Sequence, residues 1–253
     1  MLFRLRTLPL LLVVLALACP AAAVDFSGER LTYEFGWRNI SAAEVKIQID
    51  PSPVAGDPGY KVTLDVTGKP KLDWIWRIRD RVTALVRAAD LRPYRYFFVQ
   101  REGAFKLDTE INFDAASNML VSKRTHYKKK GPKQLKSKQA PADHFDPVSA
   151  LMYVRHIEFG PGVSHRIKIF DGKRKHVAEY RCLGDERLET QLGTFDTWKV
   201  QPVIIESEGR DDKAKAEKVK EVTVWIDKKA PHHVLRVESE ALWGFIYGEL
   251  IKK

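Results

Sequence analysis

Residues 144–155 read His-Phe-Asp-Pro-Val-Ser-Ala-Leu-Met-Tyr-Val-Arg (HFDPVSALMYVR), a helix-like stretch in a chain that otherwise alternates apolar and polar residues. Asp146 is placed to cap the first-turn amides, and Pro147 is pre-set for the first helical position. Val148, Leu151, Met152 and Arg155 recur at helical spacing and give one greasy face, and Gly160-Pro161-Gly162 ends the segment. A helix this short does not persist alone in water. It must lie on a sheet, either filling its concave side or closing one end. Plain core packing and a role as the wall of an apolar cavity both fit this pattern.

On either side of that stretch the period is two. ERLTYEFGW, AEVKIQI and YKVTLDV each alternate over a strand length, and RYFFVQRE, KLDTEINFD and MLVSKRTHY form a predicted meander. KPKLDWIWRIRD fits a strand or a short helix, and we read it as a helical turn leading into a strand at 81–87. After the helix come SHRIKIFD, KHVAEYRCL, ERLETQ, FDTWKVQPVIIE, KEVTVWID, HVLRVESE and WGFIYGELI, with turns at Asp171-Gly172, Gly184-Asp185, Gly193 and Lys229 to Pro231. Evenly spaced strands without a strand–helix–strand rhythm predict an all-β, mainly antiparallel fold: a curved sheet or open barrel with one short capping helix near 146–156. ESEGRDDKAKAEKVKE, low in apolar residues, reads as a long hairpin tip.

The first 23 residues, MLFRLRTLPLLLVVLALACPAAA, have a positive start at Arg4 and Arg6, an apolar run from Leu8 to Leu17 and a small-residue site at Ala21-Ala22-Ala23. This is the pattern of a cleavable signal peptide, with residues 24–253 as a single β-rich domain in the periplasm. Lipidation at Cys19 is the less favoured alternative, because Leu17 sits one place late for a lipobox and Pro20 follows. Cys182 is then the remaining thiol, predicted to be buried on a strand and inert. Stability must come from burial, for which about 230 residues suffice.

The net charge of +10 is concentrated in SKRTHYKKKGPKQLKSKQ, which holds eight Lys or Arg and no acid. Lys123, Arg124, Lys128, Lys129, Lys130 and Lys133 are candidates for docking to anionic lipid headgroups, against the plainer reading of a solvated loop. Trp37, Trp74, Trp76 and Phe97, with Leu151 and Met152, are candidates for a hydrophobic slot that would hold an acyl chain. Seven histidines show no metal-binding spacing, and there is no GxSxG, phosphate loop or dinucleotide fingerprint. Asp146 and Ser149 are better used by the helix start than as a triad with His144. Asp80, in Arg77-Ile78-Arg79-Asp80-Arg81, is expected to be a carboxylate held charged by surrounding guanidiniums.

GERLTYEFGW, DPVSALMYVR, the FDGKR turn, GTFDTWKV and the closing WID…HVLRVE…GEL together resemble the DUF3108 family, over about Gly28 to Leu250. In general architecture the pattern is also similar to LolA-like periplasmic half-barrels that cup a lipid. The first resemblance implies a fold and no catalytic residues, and fold does not imply function.

The leading expectation is a non-catalytic periplasmic carrier of a hydrophobic or lipid-linked envelope molecule, docked through the basic loop, without cofactor, metal or nucleic acid. The alternatives are an envelope glycan enzyme using paired carboxylates among Asp73, Asp80, Glu102, Asp108 and Glu110, and a structural interaction module. Ligand identity and oligomeric state are left open.

Overall fold

A computed structural model describes residues 24–38, 40–207, 221–241 and 244–253. The leader with its cleavage site and Cys19 lies outside the described residues, as do Trp243 and most of the expected hairpin tip, at 208–220.

The strand period read from the sequence is met almost everywhere. The first half is a meander of β1 (Arg30–Trp37), β2 (Ile40–Pro51), β3 (Gly59–Gly68), β4 (Arg79–Arg87), β5 (Pro93–Glu102), β6 (Phe105–Asp114), β7 (Met119–Lys128) and β8 (Gly131–Gln134). A hairpin connection with a 3-10 turn and the helix α1 (Asp73–Trp76) joins β3 to β4. The second half holds β10 (Ser164–Phe170), β11 (Lys175–Thr190), β12 (Gly193–Ser207), β13 (Val222–Asp227), β14 (Val234–Ala241) and β15 (Gly244–Lys252). Antiparallel pairing of β15 with β1 unites the halves into one sheet, ordered from β10 through β15, then from β1 to β8. The fold is thus a mainly antiparallel curved sheet, as the alternation implies.

Bulges bend it. Register shifts occur at Phe35/Gly36, Leu85/Val86, Cys182/Gly184 and Trp225/Ile226. The shift at Cys182/Gly184 explains one correction. KHVAEYRCL and ERLETQ are a single strand, and Gly184-Asp185 is a bulge within it rather than a turn. Cys182 is buried as expected, 4% exposed.

β7, with β8 and β9 along its outer side, does not pair with β10 at the other end of the sheet, so the sheet stays open. A strip leading into the helix spans the gap. Its first part, β9 (Gln139–Pro141), pairs with β7. Its last part bridges to β10, where Phe145 N–H donates to Lys168 O and Phe170 N–H donates to Phe145 O, both at 2.8 Å. The Phe145 ring is held from both sides, by the Arg92 guanidinium 3.9 Å from its centroid and by Tyr153 at 4.7 Å.

The helix α2 (Pro147–His156) starts as read. Asp146 Oδ1 accepts from Val148 N at 2.7 Å and Ser149 N at 3.1 Å. It is buried nearly all round, however, at Val148, Ser149, Ala150, Met152, Val154 and Arg155. Leu151, expected on the buried face, is 36% exposed. The helix fills the sheet's concavity from within instead of lying on it by one stripe. Arg155 fastens its end: Nη1 and Nη2 donate to the Glu29 carboxylate, while Nε and Nη2 also donate to the carbonyls of His232 and Pro231. Among the described residues no helix is long and apolar enough to cross a membrane.

Candidate functional site

Directly opposed strand partners point to one face, so register sorts the inward side chains into rows. One row, Ile49, Val62, Ala84, Tyr96, Ile111 and Ser122, is sealed, with no member more than 5% exposed. The next row runs from Leu31 through Ile47, Leu64, Val82, Phe98 and Thr109 to Arg124, with Leu64, Phe98 and Arg124 half-buried among buried neighbours. Beyond it Val45 and Val66 face each other half-buried, and Phe35 follows along β1. The inner surface is therefore a bowl, closed at one end and apolar and half-open toward the other.

α2 makes the floor. Met152 is sunk into the core at 2% exposure, while its neighbour Leu151 stays open. Between the helix and β1 to β3 lies a crevice of about 20 Å³, lined by Leu31, Ile47, Leu64, Val148 and Leu151, with Arg155 beside it. That is room for about one water. The Tyr33 hydroxyl also lies there and is spent, donating to Val234 O at 2.8 Å.

Of the six residues expected to make a slot, the structure brings Leu151 and Met152 to this crevice. Trp37 ends β1 at the rim, 39% exposed. Trp74 and Trp76 are 83% and 55% exposed, because the β3–β4 hairpin loop carrying α1 lies at the end of the sheet. Phe97 stands between inward Tyr96 and Phe98, so strand parity turns it outward. The slot as a set of six is not assembled.

The basic candidates divide the same way. Lys128, Lys129 and Lys130 are exposed at the β7–β8 tip, and Lys123 and Lys133 are exposed on the two strands. Arg124 is an inward residue of β7, partnered by Thr109. Its Nε is buried without a hydrogen-bond partner, and burial lowers its pKa. It belongs to the bowl and not to a docking patch, a consequence of parity that composition cannot show.

Parity also corrects Asp80. Arg79 and Arg81 point away from it, to Asp73 at 2.6 Å and Asp65 at 2.5 Å. Asp80 faces inward, 7% exposed, with Oδ1 accepting from Arg101 N at 2.5 Å. Burial raises its pKa, and neighbouring Glu102 adds to the rise against that hydrogen bond. Among the described residues, no three His, Cys, Asp or Glu side chains gather as a metal-binding group.

Sequence reading missed a second recess at the opposite end. It is an open polar cleft of about 630 Å³ beside Asp196, Asp227, Lys229, His233 and Lys253. Burial, helped by Arg155, pushes the His233 pKa down to about 3, so the ring is neutral at ordinary pH. Asp227 Oδ1 is used by its own turn, accepting from Lys229 N at 2.9 Å. The cleft carries charges of both signs with no dominant one.

Residues 30–251 match the family described as "Protein of unknown function (DUF3108)". No curated protein matches the chain. Among solved structures, the chain is similar to a beta-barrel-like protein of the domain of unknown function DUF1849 from Brucella abortus. The TM-score is 0.59 at 10% identity, over 91% of this chain and 98% of that one. Likeness at this identity is one of fold.

Proposed function

We propose, for a chain that belongs to the DUF3108 family, that the bowl is the working surface and that the protein is a non-catalytic periplasmic binding or carrier protein for a hydrophobic or lipid-linked envelope molecule. The observation that supports this is the open floor. Leu151 lies inside a curved sheet yet is 36% exposed, with half-buried Leu64, Val45, Val66 and Phe35 facing the same hollow. Apolar inner surface left wet by the protein's own chain is surface that a guest can dry. Each methylene removed from water there contributes roughly 0.8 kcal/mol. The crevice of about 20 Å³ is too small for a chain, so the guest lies along the bowl above α2.

The test is titration with a dansylated fatty acid. Saturable emission gain is expected for the native protein, with at least tenfold weaker binding in Leu151→Asp and Leu64→Asp variants that keep the native circular dichroism spectrum (about 1.4 kcal/mol). Equal binding by all three proteins would overturn the reading.

A further inference from the structure

The end of the sheet toward which the bowl opens carries a cluster of exposed large apolar side chains. Trp74, Ile75 and Trp76, at 83%, 65% and 55% exposure, form a knuckle on the β3–β4 hairpin loop. Trp37 and Ile40 flank the β1–β2 tip, and Phe245 and Ile246 the β14–β15 tip. These pieces are tied together: Arg38 N–H donates to Phe245 O at 2.9 Å, and Lys69 N–H donates to Ala42 O at 2.8 Å. Gly103 N–H to Arg77 O, at 2.7 Å, joins the knuckle to the β5–β6 tip, and β6 pairs with β7 beside it. The opposite end is different in kind, with tips built around Asp57, Asp90 and Asp114.

Charge at the apolar end has one sign in surplus. Of its acids, Glu34 and Glu44 are engaged by Lys69, Asp73 by Arg79 and Asp108 by Arg101, while Glu102 and Glu240 have no ion pair among the described residues. Arg38, Lys71, Arg77 and the Lys128–Lys130 run have no ion pair among the described residues. Arg38 lies over the Trp37 ring at 5.0 Å, a cation beside an amphipathic ring.

We propose that this end docks on an anionic phospholipid bilayer, with Trp74, Ile75 and Trp76 entering the headgroup region and the unpaired cations resting on the lipid phosphates. Indole rings settle at the interface because one edge is apolar and the N–H can be solvated. Here the Trp74 N–H is already satisfied by Lys71 O at 3.0 Å, which lowers the cost of taking the ring into the interface. Trp76 carries no such bond among the described residues. The cations are attracted by the surface potential within a Debye length. A patch of scattered indoles and unpaired lysines fits a bilayer better than a protein partner, since nothing in it is shaped to a particular shape. Docked so, the bowl faces the source of its guest, but the docking does not depend on that guest.

The test uses the full mature chain and sedimentation with vesicles of phosphatidylcholine, alone or mixed with phosphatidylglycerol. Pelleting is expected with the mixed vesicles, with a blue shift of tryptophan emission, and weakening as salt rises. The pair Trp74→Ser and Trp76→Ser, both exposed, should lower partitioning at least tenfold. Lys128→Glu, Lys129→Glu and Lys130→Glu together should lower it by about fivefold per lysine. Unchanged pelleting by the tryptophan pair, or equal pelleting with neutral vesicles, overturns the proposal. So does loss, in that pair, of a concentration-dependent self-association seen without vesicles. Fatty-acid titration of the same variants separates this outcome from the bowl's.

Discussion

Arg155, on the last turn of α2, and Glu29, just before β1, are 126 residues apart in sequence and meet through two hydrogen bonds of 2.9 and 2.6 Å. Both side chains are nearly out of water, at 4% and 10% exposure. The pair pins the floor of the bowl to the first strand, and each partner is a lone buried charge without the other.

Glu29→Gln and Arg155→Met should therefore each destabilise the fold by about 3 to 5 kcal/mol, the cost of leaving one buried ion unpaired. Urea denaturation of the two single variants measures this. The double variant should recover a large part of the loss, and strict additivity would show that the two side chains act independently.

Asp146 predicts a pH dependence. Burial raises its pKa from 3.8 to about 6, although the Ser149 and Val148 amides oppose the rise. The folded state holds this proton more tightly than the unfolded chain. Its contribution to stability is therefore fully present below about pH 4 and is lost as the pH rises through about 6. The loss amounts to about 3 kcal/mol at neutral pH. Asp146→Asn keeps a capping oxygen but cannot titrate. Denaturation midpoints from pH 4 to 8 should slope less in that variant than in the native protein, and parallel curves would remove the assignment.

Neighbouring residues on α2 should respond differently. Met152→Ala leaves a cavity in sealed core and should cost about 2 to 5 kcal/mol. Leu151→Ala, at a site with 36% exposure, should cost about 1 kcal/mol or less while weakening fatty-acid binding. Equal destabilisation would show that Leu151 is ordinary core.

Arg124→Met should be neutral or stabilising. The substitution removes a buried Nε that finds no acceptor and retains most of the apolar stem. A loss above about 2 kcal/mol in urea denaturation would indicate that the guanidinium is paired in solution.

The strands and the start of α2 were legible because each rests on local chemistry: alternation for the strands, and Asp146 with Pro147 for the helix. The side on which a residue falls was not legible. Arg124 and Lys123 are adjacent in one basic run, and pairing alone sends the first inward. Asp80 looked surrounded by guanidiniums because three arginines are close in sequence, whereas the pleat turns Arg79 and Arg81 to the other face. Trp74 and Trp76 read as slot-lining aromatics. Their position on a hairpin loop follows from the β3–β4 pairing, which leaves 69–78 to span the end of the sheet. The Cys182/Gly184 bulge hid a continuous strand behind what looked like a turn, since glycine suits both.

The short parallel bridge at Phe145 has a mechanical consequence. Elsewhere neighbouring strands are zipped by ladders, but here two backbone hydrogen bonds, the Asp143–Lys168 ion pair and one ring held by Arg92 and Tyr153 fasten the strip to β10. By contrast, the β15–β1 ladder pairs six residues of β1. Amide exchange at Phe145 and Phe170 should thus run ahead of exchange in the β1–β7 meander.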